Sequence, residues 1–461
     1  MVTTEAYERY HLNVKSAPPK QRFAEFSVKR RYDCIHCGRC VKACVYDVHR
    51  RDEDPRLIAD PVEELCVGCF RCVQECPVDA LTVYHNPAYL TLGDRNWTPT
   101  KITNIWFEAE TGSIPVSGAG YRGPFTGSGF DSIWTDMSEI VRPTRDGIHG
   151  REYISTSIDL GSRPSQLNFD TGGKLVTSIP RILTIPIPLL FDTYQIRNKT
   201  GRFLKIVSKA AQTVNTFTFI GTRECSVELK PYAAHVIPVV KDEHGLKDAL
   251  GNRHRVVEVE YGSDTRSLFK ELRDRAGDVL ISARISLLQP FESLVYDAVQ
   301  GEADIIHLCA GEAGVVVIDG EMVHLKDALL RLHRSLVDKS AREEVTLIVS
   351  GGIDVAEHMP KAIICGADAV AIDMSMLVAL GCSINDHSPS LHDCPALKDD
   401  LMEDWGVQRL VNLSWSWRDQ MLEILGAMGM REARRLRGET GRAMFHDDLE
   451  REFRQTLFHG R

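Results

Sequence analysis

An α/β chain is expected here, a (β/α)8 barrel preceded by a small α+β domain, and three features of the sequence lead to it. Eight cysteines crowd into residues 34–76 in two runs of the same spacing. Eight short apolar runs recur between residues 183 and 373, separated by stretches of helical period. The chain has 461 residues, more than one ordinary core needs, whereas a barrel routinely occupies about 200–250 residues as a single domain.

Composition narrows the class before any element is placed. Hydrophobic residues make up 43% and charged residues 26% of the chain, the profile of a soluble globular protein. The formal charge of −9 is spread without a long like-charge block and leaves no basic footprint, so no nucleic-acid partner is expected. No apolar run approaches the ~18 residues of a membrane helix, and Met1–Lys20 is polar and mixed in charge. A cytoplasmic chain with no membrane span follows.

The cysteines carry the sharpest signal. The first run is Cys34-x2-Cys37-x2-Cys40-x3-Cys44, and the second is Cys66-x2-Cys69-x2-Cys72-x3-Cys76 followed by Pro77. This is the bacterial two-cluster ferredoxin pattern, in which three close thiolates grip one cubane and the fourth reaches the other. Two [4Fe–4S] clusters are expected, one on Cys34, Cys37, Cys40 and Cys76, the other on Cys66, Cys69, Cys72 and Cys44. Zinc would use paired C-x2-C knuckles and has no use for a third cysteine at the same spacing. Gly38 and Gly68 lie inside the loops, where a missing side chain lets backbone N–H groups approach sulfur. Cys225, Cys309 and Cys365 sit in apolar surroundings and read as packing residues, as does His307.

The remaining boundaries follow from composition. Residues 1–25 form an N-terminal arm, 26–88 the ferredoxin-like domain, and 89–181 a Gly-, Pro- and aromatic-rich wrapping segment without long periodic runs. Residues 182–397 hold the barrel, with strands expected at Leu183–Phe191, Val214–Ile220, His235–Val240, Arg255–Tyr261, Asp278–Ile285, Ala303–Cys309, Val345–Ser350 and Asp368–Asp373. The clearest helices between them are Lys199–Thr213, Thr265–Ala276, Pro290–Gln300, His324–Asp338 and Ala356–Cys365. Residues 398–461 read as a charged helical tail, in which the basic stretch Arg431–Arg437 is expected to be a solvated face.

Three stretches, Tyr121–Trp134, Met137–Ser155 and Ser350-Gly-Gly-Ile-Asp354 followed by Gly366–Ile372, resemble archaeal-type glutamate synthases, and the resemblance spans most of the chain. It implies an FMN-binding barrel fed by iron–sulfur centres, an oxidoreductase working with a redox partner or with other subunits of a complex. A homo-oligomer is compatible with it. Ser350, Gly351 and Gly352, after the seventh strand, would cradle the flavin phosphate. Arg284 stands where the family has a lysine on strand five and would bind an anion without donating a proton.

The chain also departs from the family pattern. Asp373 and Met374 replace a glycine and a small residue after strand eight, and a carboxylate beside a phosphate is repulsive. Phe191–Ile196, Gly262–Arg266 and Cys309–Gly314 replace the family's glycine-rich loops, and only Cys382 and Cys394 stand where it places three cysteines. An alternative therefore stays open, in which the barrel is a flavin-free scaffold and the clusters wire a partner enzyme.

Overall fold

The structure is a computed structural model that describes residues 12–19, 22–115, 127–135, 154–162, 167–177, 182–250, 253–275, 277–288, 290–311, 313–318, 320–384 and 394–459. Residues 121–126 of the first family-like stretch and 137–153 of the second lie outside the described residues. The chain divides into two compact units, one built on Pro18–Trp106 and one on the barrel with its C-terminal helices.

In the smaller unit two antiparallel strands, Phe26–Arg30 and Leu81–His85, pair with Val28 opposite Val83. Their buried residues Val28, Leu81 and Val83 join Val48, Ile58, Cys40 and Cys72 in one small core. Two short helices, Arg39–Ala43 and Arg71–Gln74, carry the third cysteine of each run, Cys40 and Cys72, into that core.

The larger unit is a closed barrel of eight strands. They are β1 Leu189–Asp192, β2 Thr218–Gly221, β3 Val236–Val240, β4 Val256–Glu260, β5 Leu280–Ser286, β6 Ile305–Cys309, β7 Thr346–Ser350 and β8 Ala369–Ile372. Every neighbouring pair is parallel, and β8 closes on β1 with Ile372 opposite Phe191. The strands are buried on both faces, which is why they read as unbroken apolar runs rather than alternating ones.

The expected first strand is split in two. Pro186 and Pro188 cannot donate to a ladder, so Leu183–Ile185 pairs antiparallel with Ile158–Leu160 and only Leu189–Asp192 enters the barrel. The link from β2 to β3 is a run of tight turns over Val227–His235, with Pro231 inside it, which accounts for its weak helical period. A hairpin not foreseen, Val315–Ile318 with Glu321–His324, follows β6.

Helix α1, Gly201–Val214, starts at Thr200, whose hydroxyl accepts from Phe203 N, and stops at the left-handed Asn215. Its buried stripe of Phe203, Ile206, Val207, Ala210 and Val214 has the spacing of an amphipathic helix. Across it lies α2, Glu403–Ala427, where Gly406 permits close approach because a Cβ there would meet Ile206 at 3.0 Å.

The expected helical tail is tied into the protein. Arg409 and Trp417 of α2 are wholly buried, and the helix is part of the core. Arg431–Arg437 is likewise tied down, Arg434 to Asp159 at 2.8 Å and Arg437 to Asp368 at 2.8 Å and to Glu343. Charge density in the sequence does not distinguish a solvated face from one neutralised by acids far away in the chain.

Candidate functional site

Each four-cysteine set lines a cavity of its own in the small unit. Cys34, Cys37, Cys40 and Cys76 surround one, together with Arg30, Ile35, Arg39 and Ile58. Cys66, Cys69, Cys72 and Cys44 surround the other, together with Tyr46, Val48, His49 and Phe70. The fourth cysteine of each run thus lies among the first three of the other. Burial pushes the Cys72 thiol up to about 11, and neighbouring Cys66, Cys44 and Cys69 add to the effect. Burial also raises Cys40, with Cys34 and Cys37 adding to it. Four crowded thiols become four thiolates only when a cation takes the protons' place, so the donor set fits an iron–sulfur cluster.

The loops that aim these sulfurs repeat at the level of the backbone. The second run follows the first by 32 residues (66 − 34). Left-handed residues recur at the same offset: His36 (φ 51°) with Gly68 (φ 67°), Gly38 (φ 78°) with Phe70 (φ 59°), and Asp47 (φ 57°) with Asp79 (φ 48°). Glycine fills a different one of the two loop positions in each run, which hides the repeat from a search for aligned glycines. At His36 the strain is offset locally, because its Nδ1 accepts from Ile58 N at 3.1 Å. Arg51 donates to the carbonyls of His36 and Cys37, and a Cβ on Gly38 would run into its guanidinium. The pairing of His36 with Ile58 and the brace from Arg51 leave no mark in the sequence.

At the C-terminal ends of the barrel strands the interior is polar and tightly paired. Arg284 Nη2 donates to Asp192 at 2.6 Å and its Nη1 to Glu258 at 3.0 Å. Glu258 also accepts from Ser282 Oγ at 2.7 Å and pairs with His307 Nδ1 at 3.0 Å. His307 Nε2 meets Ser350 Oγ at 3.0 Å. Tyr194 stacks under Arg284, its ring centre 4.9 Å from the guanidinium carbon. Burial would make His307 neutral, but its neighbours Cys309 and Glu258 outweigh it and push the ring up to about 10. The group therefore holds two cations, Arg284 and His307, against two carboxylates. Asp192, His307 and Cys309 come within 4.8 Å of one another, yet Arg284 and Ser350 already occupy the carboxylate and the imidazole, so a metal ion does not fit there.

The four residues expected to hold a flavin phosphate are thus in different situations. Gly351 (φ 92°) and Gly352 (φ 69°) are buried and consecutive, and among the described residues no acceptor is found for either N–H. A Cβ on Gly351 would meet Gly311 O at 2.6 Å, and one on Gly352 would meet Gly314 Cα at 2.5 Å, so only glycine allows these two loops to touch. Two orphaned N–H groups on adjacent left-handed glycines fit a phosphate. Ser350 is bonded to His307, and Arg284 spends both terminal nitrogens on carboxylates. Asp373 turns its carboxylate back onto Met374 N at 2.6 Å, capping the helix that follows β8.

The other cysteines divide as well. Burial holds the Cys225 and Cys365 thiols up at about 12, so both stay protonated packing groups. Cys382 and Cys394 lie side by side, their Cα atoms 5.0 Å apart.

Comparison with known proteins agrees with this architecture. Residues 33–81 match the family model for a 4Fe-4S dicluster domain, and residues 251–431 match that for a conserved region in glutamate synthase. An archaeal-type glutamate synthase [NADPH] of Dehalococcoides mccartyi is 26% identical over 477 residues, covering 90% of this chain and 94% of that protein. Its counterpart in Thermotoga maritima is 26% identical over 476 residues, 90% of this chain and 93% of that one. The archaeal glutamate synthase [NADPH] of Archaeoglobus fulgidus is 25% identical over 478 residues, again 90% and 93%.

Proposed function

We propose, from the premise that this chain is an iron–sulfur oxidoreductase of the glutamate-synthase-like family, that it passes electrons between a partner protein and a flavin in the barrel. Cys34, Cys37, Cys40 and Cys76 hold one [4Fe–4S] cluster, and Cys66, Cys69, Cys72 and Cys44 hold the other. When bound, the clusters supply two one-electron centres and FMN a centre able to take up two electrons. The observation that carries the reading is the pair of cavities, each lined by four thiols drawn from both runs.

The chain's own residues prepare these sites. The left-handed turns at His36, Gly38, Gly68 and Phe70 fold the loops around the sulfurs, and burial of Cys40 and Cys72 keeps water from the inner side. Ser350, Gly351 and Gly352 form the phosphate-binding turn, the two glycines through their N–H groups and Ser350 through its bond to the charged His307. Arg284 fixes the barrel interior through Asp192 and Glu258 and is a positioning residue. The family's activity needs an electron source, so a redox partner or further subunits act with it, and we place the protein in the cytoplasm. Among the described residues no helix is long and apolar enough to cross a membrane.

One observation favours a second reading, a flavin-free conduit: Asp373 occupies a helix N–H beside β8 with a carboxylate, and both terminal nitrogens of Arg284 already bond carboxylates. Iron, sulfide and acid-released flavin counted on anaerobically purified protein test both readings. About eight irons and about eight sulfides with one FMN are expected. The same iron without flavin establishes the conduit, and stoichiometric zinc in place of iron overturns both.

A further inference from the structure

We propose that His49 donates an N–H hydrogen bond to a sulfur of the cluster held by Cys66, Cys69, Cys72 and Cys44, and so makes that centre easier to reduce. The inference rests on reading those four cysteines as cluster ligands, and it adds a residue that sets the centre's potential without binding iron.

The repeat of the cysteine runs supplies the comparison. Cys44, Tyr46, His49 and Val67 in the wall of the second cavity stand 32 residues from Cys76, Val78, Leu81 and Ile35 in the wall of the first. The backbone repeats there too, with left-handed Asp47 and Asp79 two residues before His49 and Leu81. Equivalent positions thus place an imidazole in one wall and an isobutyl group in the other. Both side chains are buried, His49 at 3% and Leu81 at 5% exposure. A polar ring in a slot that suits leucine is unfavourable unless something bonds it.

No such partner is supplied by the described residues. His49 Nε2 is closed to water and has no hydrogen-bond partner among them. Thr218 Oγ1 and the Nε atoms of Arg273 and Arg434 share that condition, but none of these residues lines a cysteine cavity, and both guanidiniums are bonded through Nη2. His49 alone of the four stands where sulfide and thiolate acceptors arrive with a cluster. Four cysteines complete the iron ligand set, so the imidazole is left to act as a donor. A hydrogen bond to a cluster sulfur favours the more negative, reduced form and raises the potential.

Other differences between the two walls do not supply a buried donor. Tyr46, in place of Val78, is 44% exposed, so its hydroxyl has access to water. Arg30 and Arg39 frame the first cavity, yet Arg30 is bonded to Asp60 at 3.2 Å and to Ala59 O at 3.0 Å, and Arg39 is exposed to screening by solvent.

The test is a reductive titration of the full-length holoprotein at one fixed pH, followed by electron paramagnetic resonance, for the wild type, His49→Leu and His49→Gln. Leucine copies the first cavity, whereas glutamine keeps an N–H donor. In His49→Leu one of the two one-electron steps should become about tenfold less favourable, a fall of about 59 mV, while the other stays where it was. His49→Gln should keep most of the wild-type value. Isotopically labelled histidine nitrogen should couple to one reduced centre of the wild type in pulsed measurements, and the coupling should vanish in both variants. Unchanged potentials in His49→Leu, equal shifts of both steps, or no histidine coupling in the wild type overturn the proposal. If His49→Leu fails to retain about eight irons, the coupling decides alone: its absence in the wild type, or its persistence in His49→Gln, overturns the proposal. A wild type short of iron and sulfide would instead remove the cluster reading beneath it, which the metal count reveals separately.

Discussion

Gly68 combines a left-handed backbone with a Cβ position that would run into the Phe26 ring. Gly173 is also left-handed, φ 79°, but nothing lies within 4 Å of its Cβ position. Gly173→Ala should therefore cost about 1 kcal/mol of conformational strain, and Gly68→Ala about 1–3 kcal/mol more for displacing the ring. Thermal unfolding of the two variants measures the difference, and equal losses would show that the ring yields freely. Glu108 gives a pH-dependent counterpart. Its carboxyl is buried, which pushes it up to about 8, while Trp417 Nε1 donates to it at 2.9 Å and Glu357 adds repulsion. A folded value above the ordinary 4.5 means that stability is complete below 4.5 and is lost as pH rises through about 8. Glu108→Gln should flatten that loss in a pH series of melting temperatures, and an unchanged slope would place the titration elsewhere. None of this was legible in the sequence, where Gly68 appeared only as a loop glycine and Glu108 as one acid among many.

Elements were far more legible than the contacts between them. Eight apolar runs gave the eight barrel strands because strands buried on both faces need continuous apolar sequence, and the ends differ by only a few residues. The first run was misread through Pro186 and Pro188, whose missing N–H groups end one pairing before the next begins. The burial of helix α2 was not legible for a different reason: its polar residues are neutralised inside the protein, as Asn412 is by the carbonyls of Lys15 and Ala109. The interior charge group belongs to the same class. Arg284 stood out in the sequence, but its partners come from β1, β4 and β6 and only the closed barrel brings them together. Asp192→Asn leaves Arg284 and His307 facing a single carboxylate, and should destabilise the barrel by about 3–5 kcal/mol in a denaturant titration. Replacing Arg284 by Met as well should recover part of that loss, and a purely additive double variant would contradict the coupling.

At the scale of the molecule, two units of unlike construction share one chain. The barrel unit has a large apolar core, with Phe191, Phe203, Phe217 and Phe219 fully buried. In the small unit the cysteines pack against a small apolar cluster, Val28, Val48, Ile58, Leu81 and Val83, so metal binding is expected to supply a large part of the folding free energy of the cysteine region. Anaerobic removal of iron with a chelator should abolish structure in the small unit while the barrel's unfolding transition stays within about 2 °C, a separation that calorimetry can resolve. Loss of both transitions together would show that the units unfold as one. The cysteine spacing alone made the small unit legible, because eight cysteines at such fixed intervals leave few other uses. The proposed phosphate turn was legible only as Ser350 and a pair of glycines, since its character depends on where Asp373 and Arg284 direct their side chains.

The most direct test of the relay is electron paramagnetic resonance of the anaerobically reduced protein, wild type beside Cys76→Ala and Cys44→Ala. The wild type should show a broadened signal from two interacting centres, integrating to about two spins per chain. Each variant should disturb the centre of the other run: Cys76→Ala that of Cys34, Cys37 and Cys40, and Cys44→Ala that of Cys66, Cys69 and Cys72. In each case a single uncoupled centre of about one spin should remain. A wild type with no reducible signal, or variants that each disturb the centre of their own run, would contradict the account.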